Sequence, residues 1–178
     1  MARNIEIKAR VDDIRALERR VVAIGGAGPQ PIAQDDTFFR CENGRLKLRA
    51  FDDGTGQLIF YRRADEQGPK ESFYVMSETA GPDGLRQALT LAYGMRGRVR
   101  KQRLLYMMGR TRIHLDRVEG LGDFMELEVV LADGEAAGDG MREAQQLMAR
   151  LGVDAAQLVE GAYLDLLEGK TNAAAVSE

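Results

Sequence analysis

The chain has 178 residues, 30% of them charged, and a formal net charge of -3. That length suits one domain that can bury a core without disulfides, and the balanced charge excludes both a polyanion-coating basic protein and an acidic disordered tail. With a single cysteine, Cys41, and a single histidine, His114, neither an internal disulfide nor the usual nitrogen and sulfur zinc site can form, so any metal is expected to be a hard one held by carboxylates. In chain order, "RNIEIKAR" opens as a strand with Asn4, Glu6, Lys8 and Arg10 on one face and Ile5, Ile7 and Ala9 on the other. "DDIRALERRVVAIGG" follows as an amphipathic helix with Ile14, Leu17, Val21 and Ile24 in one stripe, Asp12 or Asp13 capping its start and Gly25 or Gly26 its end. "PQPIAQDDTFFR" carries two of the four prolines and reads as an irregular stretch running into a short strand. "GRLKLRAFDDGTGQLIFYRR" is a hairpin turning at "DDGTG", with Arg45, Lys47 and Arg49 on one face of its first arm.

"GPDGLRQALTLAYG" predicts a second helix with Leu85, Ala88, Leu89 and Ala92 on its apolar side. Three strands come next. "RVRKQRLLY" puts Lys101 and Arg103 on one face, "RTRIHLD" does the same for Arg112, His114 and Asp116, and "DFMELEVVL" for Glu126 and Glu128. Two helices finish the chain: "DGMREAQQLMARLGV", with Met141, Ala144, Met148 and Leu151 along one side, and "DAAQLVEGAYLDLLEGK". The domain is expected to span residues 1–170, with 171–178 a loose tail. No apolar export segment and no run of about 18 apolar residues occurs, so a reducing, cytoplasmic setting without a membrane span is expected.

The strands have one property in common: their polar faces carry Glu, Asp, Lys and Arg, and their opposite faces are apolar. Helices cover the apolar face of an α+β sheet. The charged faces then look at water or, if the sheet curls shut, into a lumen. We therefore expect an α+β domain built on an antiparallel, closed or nearly closed β-barrel with helices packed outside. Charges gathered in such a lumen need partners, and a multiply charged anion with its metal ions supplies them. Arginine forks and lysine point charges suit a chain of phosphates. Glu6, Glu126 and Glu128 would repel bare phosphate but suit Mg²⁺ or Mn²⁺ bridging carboxylate and phosphate oxygens.

These motifs resemble the CYTH proteins, or triphosphate tunnel metalloenzymes. The likeness runs from "NIEIKAR" through "LKLR", "RKQRLLY" and "RIHLDRVEGLGDFMELEVV" to "YLDLL", and the "KQR" and "LDRVEGLGDFMELE" segments are most like class IV adenylyl cyclases. The resemblance implies Glu6 and Glu126 as metal ligands with Glu128 as a third, and Lys8, Arg49, Lys101 and Arg103 as triphosphate-holding cations. Arg63 matches a further cation, with Arg62 the alternative in register. It implies catalytic roles for Lys8, Lys101 and Asp116, the last organising metal and basic neighbours. Asn4 stands where the family's E-x-E-x-K motif has its first glutamate; its amide oxygen can still ligate a metal or its water. The implied activity is conversion of ATP to cyclic AMP and pyrophosphate. Hydrolysis of an inorganic or organic triphosphate is the alternative, and a nucleotide- or polyphosphate-binding module without catalysis is the third reading. A homodimer is compatible with the resemblance.

Other residues read more plainly. Arg45 and Lys47 divide evenly between tunnel and rim. His114 reads as a hydrogen-bonded structural residue, and Tyr61, Tyr106 and Tyr163 as packing. "EGLGD" lacks the strand, glycine loop and helix order of a P-loop and reads as a turn. Nucleic acid is not expected as a partner, because glutamates interleaved with the basic residues would repel a bare backbone.

Overall fold

The computed structural model describes residues 2–63 and 68–175. Strict alternation makes β1 (Ala2–Arg10) a strand with a fully buried outer face of Ile5, Ile7 and Ala9. Helix α1 (Ile14–Ala23) begins where the Asp13 carboxylate accepts from the Ala16 amide at 2.9 Å, and the chain leaves it through Gly25 at a φ of 94°. The hairpin of β3 (Arg45–Ala50) and β4 (Gly56–Arg63) forms as expected around "DDGTG". So do β6 (Met95–Met108), β7 (Thr111–Val118) and β8 (Gly122–Val130).

Two of the strands depart from expectation. The proline-bearing stretch is not irregular but continuous with β2 (Ala27–Phe39), a 13-residue strand. It pairs with β6 along its whole length and with β3 only from Asp35 onward. Its proline-rich half thus has a neighbour on one side, where a missing N–H is tolerated. Residues 70–79 form β5 (Lys70–Thr79), a strand with no counterpart in the sequence reading. Lys70 and Ser72 are buried there while Val75 is half exposed, so the usual apolar-in, polar-out pattern is inverted.

The strands close in the order β1-β5-β4-β3-β2-β6-β7-β8, every neighbour antiparallel and β8 returning to β1. On the outside, α1 and α3 (Ala137–Arg150) pack Leu17, Val21, Ala144 and Leu147 against the apolar outer faces of β1, β7 and β8. The approach of α3 is close: a Cβ on Gly140 would lie 2.7 Å from Ile5 Cγ1. The final helical segment is interrupted. A 3₁₀ turn (Ala155–Gln157) and an extended stretch precede α4 (Tyr163–Ala175), with Gly161 at a φ of 75° between them. Helix α4 carries residues 171–175, which the sequence reading assigned to a tail; 176–178 lie outside the described residues.

Helix α2 (Pro82–Tyr93) lies against β2 and β3, but its expected apolar stripe is not buried. Leu85 and Leu89 are only partly covered, Ala88 and Ala92 are exposed, and Pro82 alone is buried. The helices thus sheathe the barrel unevenly, most thickly over β1, β7 and β8. Among the described residues, no helix is long and apolar enough to cross a membrane.

Candidate functional site

Period-two alternation carries the charged faces of the strands into the barrel, where they line a cavity of about 390 Å³. Asn4, Glu6 and Lys8 enter from β1, Arg49 from β3, Arg63 from β4, Lys101 and Arg103 from β6, and Glu126 and Glu128 from β8. The structure thus brings together every residue singled out from the sequence except Asp116. That carboxylate has no solvent exposure and does not line the cavity, although it shares the inward face with its cross-strand partner Arg103. Arg103 grips it bidentately at 2.6 and 2.5 Å, Tyr163 donates its hydroxyl at 2.9 Å, and Lys101 Nζ lies 3.5 Å away. Burial alone would raise its pKa, but Arg103 and Lys101 override this and hold it down at about 2. Asp116 therefore fixes Arg103, Lys101 and Tyr163 in place from beneath the cavity lining.

Arg103 also donates to Glu126 Oε2 at 2.6 Å, and Lys8 Nζ lies 3.2 Å from Glu126 Oε1. Burial opposes ionisation of Glu126 as well, yet Lys8 and Arg103 keep its pKa well below the usual range. Lys8 donates to the Gly161 carbonyl at 3.1 Å and sits 4.0 Å from the Tyr163 ring centroid. Burial brings its pKa down to about 8. Arg63 faces inward, donating to Glu6 at 2.7 Å and to the Gly161 carbonyl at 2.8 Å, whereas Arg62 is exposed and donates to the Asn43 carbonyl. The register question is thereby answered in favour of Arg63. Residues 161–163 lie across one end of the lumen, tied to β1, β4 and β7 by these contacts.

Three site features escaped the sequence reading. Asp36 on β2 is buried and binds Lys47 at 2.9 Å and Arg49 bidentately at 2.8 Å, forming a second orienting node on the wall. The signal was the alternation of Gln34, Asp36 and Phe38, hidden by reading that stretch as irregular. Lys47 lines the lumen while Arg45 pairs with Asp165 at 3.0 Å and does not, which settles the even division between them. Burial, reinforced by Arg49, lowers the Lys47 pKa to about 7. Tyr163 is a lumen residue and not mere packing.

The third feature is His114. Its register places it directly opposite Glu126, with Glu128 one step along the same face. One ligand atom from each of His114, Glu126 and Glu128 can be chosen so that all lie within 4.8 Å of one another. A single divalent ion could draw such a set together. Glu6 is engaged with Arg63, outside this cluster, and the buried Asn4 Oδ1 has no hydrogen-bond partner among the described residues. The donor set fits a divalent metal: two ionised carboxylates, an imidazole and an unpaired amide oxygen facing one polar cavity.

Comparison with known proteins agrees with this architecture. Adenylate cyclase CyaB of Aeromonas hydrophila is 26% identical over 175 residues, covering 92% of this chain and 88% of the relative. The PH1012 protein of Pyrococcus horikoshii superimposes with a TM-score of 0.82 at 22% identity, over 92% of this chain and 99% of that one. HpAC1 from Hippeastrum, a candidate adenylyl cyclase with a dominant triphosphatase activity, gives a TM-score of 0.65 at 16% identity over 94% and 96% of the two chains. The CYTH domain model matches residues 2–163, from the first charged strand to the tyrosine at the end of the lumen, and the chain belongs to the CYTH domain family.

Proposed function

We propose that the lumen binds ATP by its triphosphate and converts it to cyclic AMP and pyrophosphate in a metal-dependent reaction. The observation that carries this reading is the meeting of Lys8, Arg49, Arg63, Lys101 and Arg103 in one cavity with the ionised pair Glu126 and Glu128. Mg²⁺ or Mn²⁺ held by Glu126 and Glu128, with Glu6 and Asn4 available to a second ion, would supply charge neutralisation at the reacting phosphorus and leaving group. The protein's own side chains do the rest. Arg49 and Arg103, fixed by Asp36 and Asp116, present their remaining N–H groups to phosphate oxygens. Lys8, Lys101 and Lys47 add point charges. As the ribose 3'-hydroxyl gives up its proton to solvent and its oxygen bonds to the α-phosphorus, the bond from that phosphorus to the bridging oxygen breaks. The resulting negative charge accumulates on pyrophosphate, which these cations are suited to hold.

The resemblance to CyaB supports cyclisation. The activity of HpAC1 supports a second reading, in which water attacks the terminal phosphorus of a triphosphate. Phosphorus NMR of the purified protein with ATP and with tripolyphosphate, each with Mg²⁺ and Mn²⁺, decides between them. Cyclic AMP with pyrophosphate supports cyclisation; orthophosphate supports hydrolysis. Tight binding without product would make the protein a binding module. The half-buried free thiol Cys41 suits the reducing cytoplasm as its setting.

Two further results are expected. Arg63→Ala should weaken triphosphate binding about 10- to 100-fold, the worth of a charge-assisted hydrogen bond, while Arg62→Ala leaves it within about twofold; titration calorimetry reads both, and equal effects would misplace the tunnel wall. The second concerns Lys47, half deprotonated near pH 7 in the free protein. Bound phosphate favours its charged form, so binding takes up a proton and affinity falls as pH rises above about 7, by at most about tenfold per unit. Calorimetry in buffers of different ionisation heat should detect that uptake at pH 8 and show it reduced in Lys47→Met, the remainder coming from Lys8, whose pKa is also lowered, to about 8.

A further inference from the structure

His114 is 4% exposed, and its buried Nδ1 has no hydrogen-bond partner among the described residues. A buried polar atom left unpaired is destabilising and points to a missing partner. The atom is not remote from possible partners: it lies 3.8 Å from Glu126 Oε2 and 3.6 Å from Glu128 Oε1. Both distances exceed the 2.7–2.9 Å or so of a charge-assisted hydrogen bond. Three donors thus face one another across a gap too wide for hydrogen bonds and suited to an ion. The neighbouring carboxylate Glu6 is engaged by Arg63, and among the described His, Cys, Asp and Glu side chains it is His114 that clusters with Glu126 and Glu128.

We propose that His114 Nδ1 completes a His-Glu-Glu metal site with Glu126 and Glu128, and that this nitrogen biases the lumen toward a borderline ion such as Mn²⁺ over Mg²⁺. Mg²⁺ is a hard ion that takes oxygen ligands and keeps its waters, whereas imidazole is a good ligand for first-row transition ions. The sheet pre-organises the set: His114 and Glu126 are direct cross-strand neighbours, and Glu128 is the diagonal one. One ion held there by three protein atoms keeps coordination positions free for phosphate oxygens. The proposal rests on the reading of Glu126 and Glu128 as metal ligands given above.

Pulsed electron paramagnetic resonance of Mn²⁺ on the full chain tests it, with Mn²⁺ alone and with Mn²⁺ plus tripolyphosphate, which brings no nitrogen. The wild type should show a nitrogen hyperfine coupling that is absent in His114→Phe. Competition binding should show the wild type preferring Mn²⁺ to Mg²⁺. The variant should lose on the order of tenfold or more in Mn²⁺ affinity and much less in Mg²⁺ affinity. If His114→Phe does not fold, His114→Asn, which keeps a polar group in the same place, serves for both measurements. Bound Mn²⁺ without nitrogen coupling in the wild type, or an unchanged metal preference in the variants, overturns the proposal. In that event, loss of Mn²⁺ from Glu126→Gln would leave the carboxylate site standing. Absence of any protein-bound Mn²⁺ under both conditions would overturn the carboxylate site and the histidine together.

Discussion

Replacing Arg103 by methionine is expected to remove most of the triphosphate affinity and about 3–5 kcal/mol of stability at once. The guanidinium is 5% exposed and ties together two buried anions, gripping Asp116 bidentately and reaching Glu126 at 2.6 Å. Without it, Asp116 keeps only the Tyr163 hydroxyl and Lys101 at 3.5 Å, too little to offset the loss of water around a carboxylate with no exposure. Arg103→Met combined with Asp116→Asn separates the two effects. Removing the orphaned charge should restore much of the stability, by roughly 2 kcal/mol or more, while binding stays weak because the cation is gone. Urea denaturation and calorimetric titration with tripolyphosphate measure the two quantities independently. A single variant that melts like the wild type would contradict the buried ion-pair account.

Glu126→Gln is expected to lower metal-dependent turnover by about 10²–10³-fold, as loss of one electrostatic stabiliser in a closed site does, while the fold persists. The amide oxygen can still accept from Arg103, while the contact with Lys8 is lost and Lys8 keeps the Gly161 carbonyl. What disappears is the negative charge set among Lys8, Arg103 and Lys101, on which the proposed metal site depends. Metal affinity should fall with turnover, and the far-ultraviolet circular dichroism should not change. Retained turnover with unchanged metal affinity would remove Glu126 from the metal site. An unfolded variant would mean instead that its charge is needed chiefly to neutralise the cations around it.

Where one face of an element is wholly apolar, sequence pattern was enough to place it. β1, β7 and β8 show their outer faces as Ile5 and Ile7, Ile113 and Leu115, and Leu127 and Val129, and the inner, charged faces follow by alternation. Helix α1 was bounded by its Asp13 cap and by Gly25. β5 was missed because its lumen face is Lys70 and Ser72 and its outer Val75 meets solvent, so hydrophobicity does not mark its core side. α2 misled in the opposite sense: Leu85 and Leu89 make a stripe at helical spacing, but no deep groove receives it. In the site, cations and glutamates were visible as types in register. The roles of Asp36, Tyr163 and His114 depend on what stands across the lumen, which pairing between distant strands decides. His114 reads as structural from its strand alone, and its closeness to Glu126 and Glu128 emerges only once β7 and β8 are paired.

The uneven sheathing of the barrel has an energetic consequence. Strands under thick apolar cover open at a cost near that of global unfolding, whereas those with little cover and exposed side chains open locally for less. The wall formed by β4 and β5, where Val75 and Met76 are about half exposed, is therefore the compliant half of the barrel, and the wall of β1, β7 and β8 the rigid half. The site straddles the seam, with Arg63 on the compliant side and Lys8, Glu126 and Glu128 on the rigid one. A polyanion spanning the lumen would staple one half to the other, so part of its binding energy goes into stiffening the barrel.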